Sequence, residues 1–197
     1  MTKLSLKHVV LLLCMTTAFS INCFAQKYEV HALWGRTLPL KWADAYNLKS
    51  SDVFGVKGAM YTNHDTQVEG EFSYAPQFDF RGTDPKIRAL IWGANVVRTF
   101  TLPNSKAIPF YTFGLGGITA HVPGGTASMV LPTRTVTIDD KDTFFTVNFG
   151  VGVKAMNVIG PVGLRANIYG RTMPNYFGRA NSWAEITGGV VFGFGTK

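Results

Sequence analysis

Phe145-Thr146-Val147-Asn148-Phe149-Gly150-Val151-Gly152-Val153-Lys154-Ala155 alternates without a break. Phe145, Val147, Phe149, Val151, Val153 and Ala155 fall on one face, and Thr146, Asn148, Gly150, Gly152 and Lys154 on the other. Successive side chains of a strand point to opposite faces, so this period of two marks a strand with one apolar face. The next stretch repeats the pattern, with Val162, Leu164, Ala166 and Ile168 against Arg165, Asn167, Tyr169 and Arg171. A later one sets Ile186, Val190, Phe192 and Phe194 against Glu185 and Thr187. Working outward, eight such stretches lie near 27–36, 52–62, 66–79, 87–102, 107–121, 143–157, 161–172 and 183–195, separated by Gly, Pro, Asn and Asp clusters. The 21 glycines among 197 residues argue against a helical chain, because helices disfavour Gly. The 46% hydrophobic content excludes a disordered one.

The first 25 residues read as an address. Lys3, Lys7 and His8 form a basic start, Val9 to Phe19 an apolar run, and Cys23-Phe24-Ala25 a cleavage site before Gln26. Ser20-Ile21-Asn22 is a poor lipobox, so a lipid anchor on Cys23 is not expected. Both cysteines, Cys14 and Cys23, leave with this signal peptide, so the mature domain 26–197 has no thiolate or disulfide chemistry. Its charge falls from +7 to +5 with the loss of Lys3 and Lys7. No apolar run of 18 residues follows, so any membrane crossing must be made by strands.

Two architectures produce the alternation. A soluble lipocalin-like barrel is apolar inside and charged outside, whereas an outer-membrane barrel is apolar outside and polar inside. Here the polar faces are rich in Gly, Ser, Thr and Asn. Their charges balance, Glu29, Glu69, Glu71 and Glu185 against Lys57, Lys154, Arg165 and Arg171. Balanced charge suits an enclosed lumen, where an unpaired ion is costly. The links alternate too: short turns at Asn63-His64-Asp65, Asn104-Ser105 and Val158-Ile159-Gly160, with mostly longer links elsewhere, the longest near 122–142. Short periplasmic turns and long external loops are the pattern of a membrane barrel with both termini in the periplasm. The expectation is an all-β, eight-stranded, antiparallel up-and-down transmembrane β-barrel.

The chain resembles the small eight-stranded outer-membrane β-barrel family, which includes the opacity proteins and the transmembrane domain of outer membrane protein A. Val68-Glu69-Gly70-Glu71-Phe72-Ser73-Tyr74, Phe149-Gly150-Val151-Gly152-Val153-Lys154 and Gly188-Gly189-Val190-Val191-Phe192-Gly193-Phe194-Gly195 carry the resemblance, with the signal peptide. It implies the barrel-assembly machinery as a partner. Members usually end on an aromatic residue, whereas Gly195-Thr196-Lys197 follow Phe194 here.

Other constellations weigh less. Gly150-Val151-Gly152-Val153-Lys154-Ala155 matches a dinucleotide pattern but lacks the following helix and the acid about 20 residues on. The aromatic–glycine pairs (Phe113-Gly114, Phe149-Gly150, Tyr169-Gly170, Phe192-Gly193) read as curvature relief with a ring over bare backbone rather than a ligand stack. The mature histidines are His31, His64 and His121, none with a serine obviously in reach, so a lipid hydrolase is the weaker reading. The basic residues are interleaved with Asp in every large loop except the last, which disfavours nucleic acid and leaves a loose attraction to lipopolysaccharide. Asp139-Asp140-Lys141-Asp142 lacks the glycine and terminal Glu of a calcium loop. No cofactor, metal or catalytic residue is expected.

An eight-stranded barrel is filled by its own side chains, so this is not a general porin. The expected role is a structural or surface-exposed, non-catalytic one. Specificity would lie in the outer loops 36–51 and 122–142, which could hold an extracellular ligand, on a monomer among outer-membrane lipids. The rivals are a secreted lipocalin-like binder of a small apolar ligand and the lipid hydrolase. Two expectations name positions, one in the lumen and one on the lipid face. If the first inner turn spans three residues, Thr62 pairs with Thr66 and Lys57 faces Glu71 across the lumen wall. Leu90, Trp92, Ala94 and Val96 should face lipid between Arg88 at the outer headgroups and Arg98 at the inner ones. Tyr111 should lie opposite Arg98 at the membrane interface.

Overall fold

A computed structural model describes residues 27–44, 48–79, 87–103, 105–125, 127–131, 134–176 and 179–195. The stretch 1–26, which covers the expected signal peptide 1–25, lies outside them, as do Asn104 and Thr196-Lys197. The strands are β1 (Tyr28–Asp44), β2 (Ser51–Asn63), β3 (Thr66–Ala75), β4 (Arg88–Thr99), β5 (Ala107–His121), β6 (Ala127–Leu131), β7 (Arg134–Ile138), β8 (Lys141–Ile159), β9 (Val162–Tyr176) and β10 (Arg179–Phe194). Eight of them close an antiparallel barrel in the order β1-β10-β9-β8-β5-β4-β3-β2, and β6 and β7 form a separate two-stranded sheet.

The pairing fixes the tilt. Followed round the wall it runs Tyr61–Gln67–Val97–Thr112–Gly150–Tyr169–Glu185–Thr37–Ser51, returning to β2 ten residues from its start. Ten residues at ~3.3 Å against eight spacings of ~4.8 Å tilt the strands by about 41°. Through the middle of the wall side chains then alternate between lumen and exterior. On β4, Leu90, Trp92, Ala94 and Val96 are exposed while Ala89, Ile91, Asn95 and Val97 are buried.

A closed eight-stranded wall curves tightly, and glycine allows it. A Cβ on Gly116 would come within 2.1 Å of the Trp92 carbonyl oxygen and 2.8 Å of the Gly93 Cα opposite. Rings do cover bare backbone, but across strands rather than from the sequence neighbour. Tyr169 lies over Gly150 and Phe110 over Gly152 inside, and Trp92 over Gly117 outside. A sequence neighbour points to the other face of the sheet, so it cannot do this.

Several boundaries differ from the sequence reading. Loop 36–51 is largely wall: β1 continues to Asp44, with Thr37 paired to Ser51 and Pro39 to Trp183. Loop 122–142 contains the β6–β7 hairpin. The third stretch ends at Ala75 rather than 79. The first inner turn is His64-Asp65: Asn63 pairs with Thr66, and a register shift between Tyr61 and Asn63 leaves Thr62 outside the ladder. Lys57 still faces Glu71 because the extra residue at Thr62 offsets the shortening of the turn from three residues to two. The expected Asn104-Ser105 turn lies partly outside the described residues; β4 stops at Thr99 and β5 starts at Ala107. The ladder nevertheless keeps its register, with Arg98 opposite Tyr111. The β8–β9 turn narrows to Gly160-Pro161, with Gly160 at φ 58° and Asn157 at φ 54°, a left-handed conformation that both tolerate.

Candidate functional site

The lumen is built from long charged side chains on β1, β2, β3, β9 and β10, with Lys154 on β8. Glu29, Lys57, Glu69, Glu71, Lys154, Arg165, Arg171 and Glu185 are all 3% exposed or less. They form one ladder. At its outer end Glu185 accepts from Arg171 Nε at 2.9 Å, and Arg171 Nη1 lies 2.5 Å from Glu71. Glu71 lies 2.7 Å from Lys57 Nζ, which reaches Glu69 at 3.3 Å and donates to the Tyr169 hydroxyl at 2.8 Å. Arg165 then joins Glu69 at 2.5 Å, its guanidinium 4.6 Å from the Phe110 ring centre. At the inner end Lys154 donates to Glu29 at 2.7 Å and to Gln67 at 3.1 Å, and the Tyr61 hydroxyl donates to Glu29 at 3.0 Å. Each buried charge has an opposite charge in contact, which is the condition for tolerating it away from water.

His31 sits in the middle of this ladder, fully buried, 3.6 Å from Glu29 and 3.3 Å from Arg165. Those neighbours, and its burial, separate it from any bulky substrate. His64 lies in the turn, and exposed His121 pairs with Asp140 at 3.2 Å. Among the described residues no group of three His, Cys, Asp or Glu side chains could hold a metal ion.

Above the ladder the lumen turns apolar. Leu48, Phe78 and Ile87, from the links at the outer end, pack with Ile91, Ile118, Met173 and Trp183 from the wall. The Phe78 and Trp183 rings meet edge to face at 5.5 Å. Lys49 N–H donates to the Asp79 carbonyl at 2.8 Å and ties the two links together, while Ile87 N–H donates to the Asp79 carboxylate at 2.7 Å within the second link. The barrel mouth is thus closed by an apolar plug resting on a charged core. Sequence reasoning missed this plug, together with Tyr61, Gln67 and Tyr169 as ladder partners.

The exterior carries the opposite chemistry. Phe54, Val56, Phe72, Leu90, Phe113, Phe149, Val151 and Ile168 are exposed. Arg88 and Arg98 stand on the same face of β4, ten residues apart, a span of about 25 Å along the axis at this tilt. That equals the apolar band of a membrane barrel. Arg98 also pairs with Asp65 at 2.7 Å, and the exposed Tyr111 stacks near Phe100 with ring centres 5.7 Å apart. Trp92 lies four residues inward of Arg88, inside the band rather than at its edge, and donates to Thr119 at 3.3 Å.

This is the fold of the small eight-stranded outer-membrane β-barrels. No family profile and no curated protein sequence matches the chain. Among solved structures it is similar to Neisserial surface protein A, with a TM-score of 0.55 and 15% identity over 86% of this chain and 97% of that one. The N-terminal β-barrel domain of Pseudomonas aeruginosa OprF gives 0.52 at 15% identity over 85% and 97%. Ail, the attachment invasion locus protein of Yersinia pestis, gives 0.50 at 14% identity over 86% and 99%.

Proposed function

We propose that this chain is an exported outer-membrane protein with periplasmic termini, inserted by the barrel-assembly machinery. It acts as a non-catalytic monomeric scaffold that displays its outer segments at the cell surface. One observation carries the reading: between Arg88 and Arg98 the ionic residues of the wall turn inward in mutual contact while an apolar belt about 25 Å tall faces outward. A soluble lipocalin-like barrel needs the reverse, an apolar interior under a charged exterior. A hydrolase needs a histidine open to substrate beside a nucleophile, whereas His31 is enclosed by Arg165 and Glu29. The ladder and plug fill the lumen, so recognition of an extracellular partner falls to the outer segments, chiefly the β6–β7 hairpin within 122–142.

Cell fractionation tests this. The protein should be extracted from the outer-membrane fraction only with detergent and should migrate faster in gels before boiling than after. Recovery as a soluble periplasmic or secreted protein would overturn the reading. Release of acyl chains from lipid A by the purified barrel would overturn its non-catalytic part.

A further inference from the structure

A cleft of about 290 Å³ opens on the outer face, lined by Phe54, Val56, Phe72, Tyr74 and Leu90, with Gly55 at its floor. Its volume is near the lower end of small-molecule pockets, ~300–1,000 Å³. The strand register explains the gap. Phe54, Tyr74 and Leu90 form one row across β2, β3 and β4, and Val56, Phe72 and Trp92 form the next. Trp92 is turned away from β3: its indole lies over Gly117 on β5 and donates to Thr119. Gly55 faces the lumen, where a Cβ would meet Ser73, so only its backbone shows between Phe54 and Val56 at the floor.

The cleft lies in the outer half of the belt. Leu90 is two residues inward of the exposed Arg88, about 5 Å along the axis. On the other flank Arg36 stands opposite Asp52 on the same outer face, two residues outward of Phe54. A cation therefore overhangs an apolar slot at the depth where headgroup meets chain. We propose that this cleft is a specific site for one phosphorylated outer-leaflet glycolipid of the lipid A type. One acyl chain would lie between Phe54, Phe72 and Leu90, and a phosphate would meet Arg88. The proposal rests on the outer-membrane reading above. It goes further in assigning a stoichiometric lipid to named residues. Arginine suits the role because its guanidinium donates two parallel hydrogen bonds to a phosphate.

The full-length barrel, extracted in mild detergent and incubated with bis-phosphorylated lipid A, is examined by native mass spectrometry. One lipid A should be retained per barrel, and dephosphorylated lipid A at least tenfold less. Val56→Trp, which fills the slot, and Arg88→Gln, which removes the charge, should each lower retention at least tenfold. Arg98→Gln, at the opposite rim, should leave it unchanged. Should Val56→Trp fail to fold, Leu90→Trp closes the same slot from the other wall with the same expectation. Wild-type retention by the slot-filled variant, or equal retention of phosphatidylglycerol, would overturn the site. In either case faster gel migration before boiling would show that the barrel reading stands. Loss of that behaviour in the wild type would instead sink the reading beneath it.

Discussion

Glu71 is the joint of the lumen ladder, and its removal gives the sharpest test of the charge arrangement. The carboxylate lies 2.7 Å from Lys57 and 2.5 Å from Arg171. Glu71→Ala leaves four buried cations facing three buried carboxylates, since Lys57 retains Glu69 and Arg171 retains Glu185. Breaking a buried pair by deleting one partner costs ~3–5 kcal/mol, because the surviving charge has no water to turn to. With a urea slope of about 2 kcal/mol/M, the unfolding midpoint in detergent should fall by roughly 1.5–2.5 M. The folded fraction can be read from gel migration without boiling. Lys57→Met combined with Glu71→Leu should recover much of the loss, since a buried pair is often replaceable by apolar residues of similar volume. A midpoint for Glu71→Ala within about 0.5 M of wild type would refute the reasoning. It would mean that water reaches the lumen and screens the ladder.

Lipid-quenchable labels at positions 92 and 94 should report hydrocarbon depth and labels at 88 and 98 headgroup depth; water-like signals at all four would point to a soluble barrel. Gly116→Ala should destabilise by ~1–3 kcal/mol through overpacking. Gly58→Ala, where a Cβ meets nothing within 4 Å, should stay within about 0.5 kcal/mol on the same urea assay. Shortening 123–140, which removes the β6–β7 hairpin, should leave gel migration before boiling unchanged, because that hairpin pairs only with itself. Loss of the fast-migrating form would make the hairpin part of the barrel's support.

The wall was legible in the residues because period-two alternation reports two faces with opposite demands. Phe149, Val151 and Val153 must face one medium, and Asn148, Gly150 and Lys154 the other. The Lys57–Glu71 opposition followed from counting back from a short turn, and it survived a misplaced Thr62 because the extra residue there offsets a turn one residue shorter than expected. The plug was not legible. Leu48 and Phe78 sit in links, where no period relates position to direction, and only the folded links turn those side chains into the mouth. Tyr169 was equally hidden as a ladder member. It stands among lumen-facing positions, but its hydroxyl meets Lys57 from a strand 112 residues away in sequence. The extension of β1 to Asp44 was obscured by Pro39 and by the charged residues beyond Arg36, features that a wall above the membrane band accommodates.

The distribution of the ladder along the chain bears on how the barrel closes. Strands β1 to β3 contribute Glu29, Lys57, Glu69 and Glu71, a net −2, while β8 to β10 contribute Lys154, Arg165, Arg171 and Glu185, a net +2. The strands between them, β4 and β5, bring no buried charge among their described residues. The chain therefore arrives in two oppositely charged halves joined by a neutral hinge, and the contacts from Lys154 to Glu29 and from Arg165 to Glu69 span 125 and 96 residues. An open sheet would leave those halves uncompensated at the edge of the bilayer, a state that costs several kcal/mol per ion. Neutralisation comes only when β1 meets β10, so the electrostatics favour simultaneous closure over strand-by-strand insertion, and attraction between the halves draws the seam together.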